Sequence, residues 1–177
     1  MTPEPQLTDR SCRDGAWVAV QVQASRERLA AAHIESRGYE MFLPLAAPSR
    51  RARGSSPPAL FPGYLFCRYR ATHPFRIVDA PAVIRIVSTA GGPASIPEEE
   101  IDAIRRVVLS GRPADPHPVV HVGDQVRVRS GPLSGLEGTV LRLKNELRVV
   151  VGISLLQRFV AVELAGDELE PGRLASA

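Results

Sequence analysis

Gly111-Arg112-Pro113-Ala114-Asp115-Pro116-His117-Pro118 divides the sequence into two stretches of different texture. It holds three prolines in eight residues and no apolar side chain larger than Ala or Pro. Proline fixes φ and removes a backbone donor, so such a run is poor helix and poor strand, and it predicts a linker over residues 110–120. Outward on either side, the period of the apolar residues changes.

On the N-terminal side, residues 1–14 are polar and aperiodic, and predict a loose tail. Trp17-Val18-Ala19-Val20-Gln21-Val22 is rich in β-formers and reads as a buried strand. A helix follows from Ser25, with Leu29, Ala32, His33 and Ile34 at helical spacing and Gly38 placed for a left-handed cap. A short strand at Met41-Phe42-Leu43 stops at Pro44. Residues 46–58 combine Pro, Gly and Ser with Arg50, Arg51 and Arg53, and predict an exposed basic hairpin loop. Phe61-Pro62-Gly63 reads as a turn, Tyr64 to Tyr69 as an aromatic strand, Phe75 to Val78 as a short helix and Val83 to Val87 as another strand. Ser95-Ile96-Pro97-Glu98 has the form of a capping box, and Ile101, Ile104, Val107 and Val108 mark one face of the helix it would open. On the C-terminal side, short β-rich segments near 126, 139–143, 148–151, 159–164 and 169 are punctuated by Gly131, Gly135, Gly138 and Gly152. They predict a small five-stranded antiparallel β-barrel over 121–177. The fold class is therefore α+β: an N-terminal antiparallel sheet flanked by helices over 15–109, a proline-rich linker and a barrel.

Composition narrows the function. The chain has 177 residues, 44% apolar and 23% charged, which is the make-up of a globular protein. No apolar run reaches the ~20 residues of a membrane span, and the start lacks a signal-peptide pattern, so a cytoplasmic protein without membrane contact is expected. Two cysteines form neither a disulfide framework nor a four-thiolate site. The histidines at 33, 73, 117 and 121 lack metal-ligand spacing, so no metal or cofactor is expected. Glu98, Glu99 and Glu100 sit in a first helical turn, where the helix dipole favours negative charge, and do not read as a catalytic pair. With no nucleophile triad or phosphate-cradling loop, the sequence predicts a binding protein rather than an enzyme. Residues 1–115 carry 15 Arg against 12 acids, whereas 116–177 is neutral. The basic excess in front points to nucleic acid and the neutral barrel to a protein partner.

Two segments carry a family resemblance. Gly123-Asp124-Gln125-Val126-Arg127-Val128 followed by Gly131-Pro132-Leu133-Ser134-Gly135-Leu136-Glu137-Gly138-Thr139-Val140 resembles a KOW motif, and Leu60-Phe61-Pro62-Gly63-Tyr64-Leu65-Phe66 resembles the hallmark of the NusG N-terminal (NGN) domain. The element order from about residue 15 onward is similar to that of the NusG family of transcription elongation factors, in wording closest to its specialised RfaH and UpxY branches. The resemblance implies an NGN domain, an SH3-like KOW barrel and a monomer that binds the RNA polymerase clamp, suppresses pausing and promotes antitermination. It implies polymerase contacts at Phe61, Tyr64, Phe66 and Ile86 and, by position, contacts with non-template DNA at Arg26 and His33; Arg50, Arg51 and Arg53 fit a basic hairpin beside that DNA and a merely solvated loop equally well. In the general factor an Ile-Phe-Gly-Arg run on the barrel contacts Rho or a ribosomal protein; here the run is Leu155-Leu156-Gln157-Arg158. A ribosome-associated RNA-binding KOW protein is the alternative, and it leaves the Phe-Pro-Gly-Tyr segment unexplained.

Overall fold

The computed structural model describes residues 12, 14–47, 56–73, 75–117, 125–143, 146–164 and 168–171. The first sheet is built around β1 (Trp17–Val22), which pairs antiparallel with β3 (Tyr64–Arg68) on one edge. Its other edge is shared by β4 (Val83–Ile86) and β7 (Ser95–Ile96), and β2 (Met41–Phe42) pairs with β3. A small hairpin, β5 (Ser88–Thr89) with β6 (Gly92–Pro93), sits between β4 and β7. A 3₁₀ turn at Ile77–Asp79 replaces the short helix expected at 75–78.

Alternation along β1 sends its side chains to two cores. Val18, Val20 and Val22 join Leu65 and Cys67 against helix α1 (Glu27–Ser36), through Ala30, Ala31 and Ile34. Trp17 and Ala19 join Phe66 against helix α2 (Glu98–Leu109), through Ile101, Ile104 and Val107. Leu29, expected on the inner face of α1, is exposed there, while Glu27 is buried. The capping box at Ser95 does not form: Ser95 is paired with Val18 in β7, Pro97 takes the N-cap position, and Glu98 is engaged elsewhere.

The second sheet runs β13-β9-β10-β11-β12-β8, from β9 (Gln125–Val128), β10 (Glu137–Leu143), β11 (Glu146–Ile153), β12 (Arg158–Leu164) and β13 (Leu169–Pro171). Its sixth strand, β8 (Ala114–His117), corrects the expected linker and strand count. The proline stretch is not free of the barrel, because Ala114–His117 pair along β12. Pro116 is tolerated there because β8 is an edge strand. Arg112, just before β8, holds Glu168 with two guanidinium hydrogen bonds of 2.6 and 2.8 Å. Gly138 lies where an added Cβ would stand 2.6 Å from the Val150 carbonyl oxygen, so the barrel admits no side chain at that point. No helix among the described residues is long and apolar enough to cross a membrane.

Candidate functional site

The Phe61-Pro62-Gly63-Tyr64 segment is a tight turn closed by the Tyr64 N–H donating to the Phe61 carbonyl at 3.0 Å. Gly63 has φ +80°, which suits the third position of a type II turn after Pro62. The buried carboxylate of Glu27 anchors this turn to α1. Its Oε1 accepts the Gly63 N–H at 2.8 Å and the Ser25 N–H at 3.2 Å. Sequence reading missed Glu27, since an acid in a first helical turn is ordinarily explained by the helix dipole alone. The turn delivers Tyr64 and Phe66 to the α2 face of the sheet.

On that face Phe66 and Phe61 are core residues, 0% and 1% exposed. Their rings meet edge to face at 5.4 Å, and Phe42 lies 6.3 Å from Phe66. Tyr64 is half-buried at the margin of the same cluster. Of the three aromatic residues expected to contact polymerase, only Tyr64 keeps accessible surface. Ile86 is not brought to this face. It pairs with Val20 and packs into the α1-side core.

What completes the cluster is the barrel. Leu155 and Leu156, in a 3₁₀ turn at Ser154–Leu156, pack half-buried against the cluster that contains Phe61 and Phe66 and borders on Tyr64. The Arg158 guanidinium lies 5.9 Å from the Tyr64 ring centroid. Two polar contacts support the docking: the Ser154 N–H donates to Glu100 at 3.1 Å, and Arg106 reaches the Ser134 carbonyl at 3.5 Å. Gln157 has a left-handed backbone, φ 50° and ψ 38°, and its amide donates to the Ser154 carbonyl at 2.9 Å. Two residues expected to bind separate partners, Arg158 of the barrel and Tyr64 of β3, therefore meet.

Beside the aromatic cluster, Trp17 is clamped by charge. Arg68 and Arg105 lie 4.7 and 4.8 Å from its ring centroid, and its indole N–H donates to Glu98 at 3.1 Å. Partial burial alone would raise the Glu98 carboxyl, but the hydrogen bonds from Trp17 and Arg68, with the charges of Arg68 and Arg105, hold it below its ordinary value.

Arg26 caps α1 at its start and is exposed; His33 lies two turns on, its ring 5.6 Å from Phe75. Both belong to the side of the sheet away from the barrel. Arg50, Arg51 and Arg53 lie outside the described residues, as do residues 1–11 of the expected tail and residues 118–124 at the start of the KOW motif. Among the described residues no group of His, Cys, Asp and Glu could hold a metal ion.

The comparisons agree with this architecture. The family model described as transcription termination factor NusG matches residues 15–105. The transcription termination/antitermination protein NusG of Pseudomonas aeruginosa is 30% identical over 152 residues, covering 81% of this chain and 86% of its own. That of Vibrio vulnificus is 30% identical over 173 residues, covering 87% and 94%. A solved structure describing domain interaction in Thermotoga maritima NusG shares the fold, with a TM-score of 0.59 at 23% identity over 88% of this chain and 96% of that one. The Phe-Pro-Gly-Tyr turn, the sheet it feeds and these relatives together make the chain a member of the NusG family of transcription termination/antitermination proteins.

Proposed function

We propose that this chain binds RNA polymerase through the α2-side face of its first sheet, with Tyr64 at the centre of the contact. It acts by affinity rather than catalysis. A factor that binds the closed clamp more tightly than the open one favours the elongating state and shortens pauses. The face of α1 that bears Arg26 and His33 lies toward single-stranded DNA, and the barrel, tethered to the first domain, recruits a second partner at high effective concentration.

The observation that carries this reading is that Arg158 of the barrel lies over Tyr64, with Leu155 and Leu156 packed on the apolar cluster that also borders Tyr64. Polymerase and barrel would compete for one apolar surface, so engagement needs the barrel to leave, and its departure frees the barrel tip for its own partner. Leu156 stands in the family's aromatic position. Aromatic side chains dominate hot spots, so its loss favours a specialised antiterminator over a factor that recruits Rho.

Pull-down with purified RNA polymerase tests this. Leu156→Ser, which weakens the docked state, binds more tightly than the unaltered chain. Adding Tyr64→Ala removes that gain and costs about 2 kcal/mol, a loss of about thirty-fold, as for a hot-spot aromatic. Phe66→Ala is not a clean probe, since truncating a fully buried Phe destabilises a fold by ~3–5 kcal/mol. Equal binding by all variants, or capture on ribosomal subunits in place of polymerase, rejects the proposal.

A further inference from the structure

The join between the two domains is shorter than the proline-rich sequence suggests. On the α2 side the chain is held as far as Gly111. The Ser110 N–H donates to the Arg106 carbonyl at 2.9 Å, the Ser110 hydroxyl to the Val107 carbonyl at 2.7 Å and the Gly111 N–H to the Val108 carbonyl at 3.3 Å. These bonds satisfy the last carbonyls of the helix, so Ser110 and the Gly111 nitrogen move with α2.

From the next residue onward the chain belongs to the barrel. The Arg112 guanidinium donates to both oxygens of Glu168, at 2.8 and 2.6 Å, and to the Glu163 carbonyl at 3.2 Å. A two-pronged arginine–carboxylate pair is among the stronger side-chain contacts, and this one is shielded, the Glu168 side chain being 13% exposed. The turn between β9 and β10 closes over the same carboxylate, since a Cβ at Gly131 would stand 2.5 Å from Glu168 Oε1. The Glu163 N–H donates to the Pro113 carbonyl at 3.4 Å. In an antiparallel ladder that parity turns the Asp115 and His117 N–H groups toward β12 and the Pro116 nitrogen away from it, so Pro116 costs the ladder no bond. Arg148 of β11 adds a further tie, 3.2 Å from Asp115 and 2.7 Å from Glu163.

Between these two sets of bonds lies one backbone joint. Gly111 has φ +65°, and an added Cβ would meet nothing within 4 Å, so its glycine answers a backbone angle rather than a lack of room. We infer that the linker is strapped to the barrel from Arg112 onward, and that Gly111 is the hinge on which the barrel turns when Leu155 and Leu156 leave their seat. The barrel is then a short arm and not a body on a loose tether. Residues 112–117, if free, would add up to about 20 Å of reach, and strapped they add none. A short arm keeps the barrel tip near the α2 face, so re-docking and capture of a partner draw on one small volume. The inference rests on the release of the barrel proposed above, and not on what either domain binds.

Two measurements on the full chain, without polymerase, test it. Hydrogen exchange of the Asp115 and His117 amides reports the strap. It is slow in the unaltered chain, stays as slow in Leu156→Ser, and quickens at least about five-fold in Arg112→Gln, which removes the charged clamp. Small-angle scattering reports the hinge. Gly111→Ala disfavours the left-handed angle of the docked form and moves the chain toward the released form about five-fold, while slow exchange at Asp115 and His117 is retained. Fast exchange at these amides in the unaltered chain, or exchange quickened by Leu156→Ser as much as by Arg112→Gln, overturns the strap and makes the proline stretch a free linker. A radius of gyration that grows in Leu156→Ser but not in Gly111→Ala overturns the hinge alone. A radius unchanged in both variants overturns the hinge together with the release on which it rests.

Discussion

At position 157 a glutamine occupies a backbone conformation, φ 50° and ψ 38°, that suits glycine. The hydrogen bond that its side-chain amide donates to the Ser154 carbonyl offsets part of that strain. Gln157→Gly is therefore expected to stabilise the barrel, by up to ~1 kcal/mol, measured as a raised urea midpoint at unchanged slope. Destabilisation instead would show that the side-chain bond outweighs the backbone strain. A second residue-scale expectation concerns pH. Glu98 is held below its ordinary value of 4.5, so the stability it contributes is present above that pH and is lost as pH falls through the lower folded value. Glu98→Gln should cost a few tenths to about 1 kcal/mol at neutral pH, since the carboxylate is partly exposed, and nothing once the acid form prevails. Denaturation midpoints at a series of pH values check this, and a variant whose deficit persists unchanged into acid refutes it.

At the scale of elements, β3 is buried on both faces, and its cysteine reports on that. Burial, followed by the charge of Glu40, pushes the Cys67 thiol up to about 12, against a smaller pull downward from Arg70. Alkylation at about pH 8 should modify Cys12, which is half-buried, well before Cys67, whose rate should follow opening of the sheet. Equal rates at the two sites would mean that β3 opens readily and does not shield Cys67. The same strand shows what the sequence carries and what it does not. Alternation places Tyr64 with Phe66 and Leu65 with Cys67, and helical spacing places Ile101, Ile104 and Val107 together; both are local signals and both hold. That the two faces of β3 are covered depends on layers contributed from residues 27–36, 98–109 and 154–156, and no local pattern encodes such an approach. β8 was hidden for a different reason: an edge strand tolerates prolines, so its composition is that of a linker. The capping box failed because Ser95 had a competing use in pairing with β1. For the candidate site, the sequence singles out Tyr64, Phe66 and Leu155 to Arg158, but no local pattern reveals the approach of Arg158 to Tyr64 or the anchoring role of Glu27.

Across the whole molecule the balance between a docked and a released barrel follows from the kinds of contact that join them. The hydrogen bond from Ser154 to Glu100 and that from Arg106 to Ser134 are exposed, and contacts of that kind contribute little. A cleft of about 360 Å³ is lined by α2 and strands β10 to β12. One buried apolar cluster runs from Ile101, Ile104 and Val107 of α2 into Val149, Val151 and Ile153 of β11, and Leu155 and Leu156 pack half-buried against it, each contributing on the order of 1 kcal/mol. Docking should therefore be mainly apolar. Leu156→Ser is expected to move the equilibrium toward the released form by five- to ten-fold, about 1–1.4 kcal/mol, and Glu100→Ala by less than half of that. Small-angle scattering measures the shift, because a compact chain of this length has a radius of gyration of about 16 Å and a released barrel must increase it. Raising the salt concentration should change the radius little, since ionic contacts do not dominate. A radius that grows steeply with salt, and is indifferent to Leu156→Ser, would reverse the assignment and make the exposed polar contacts the latch.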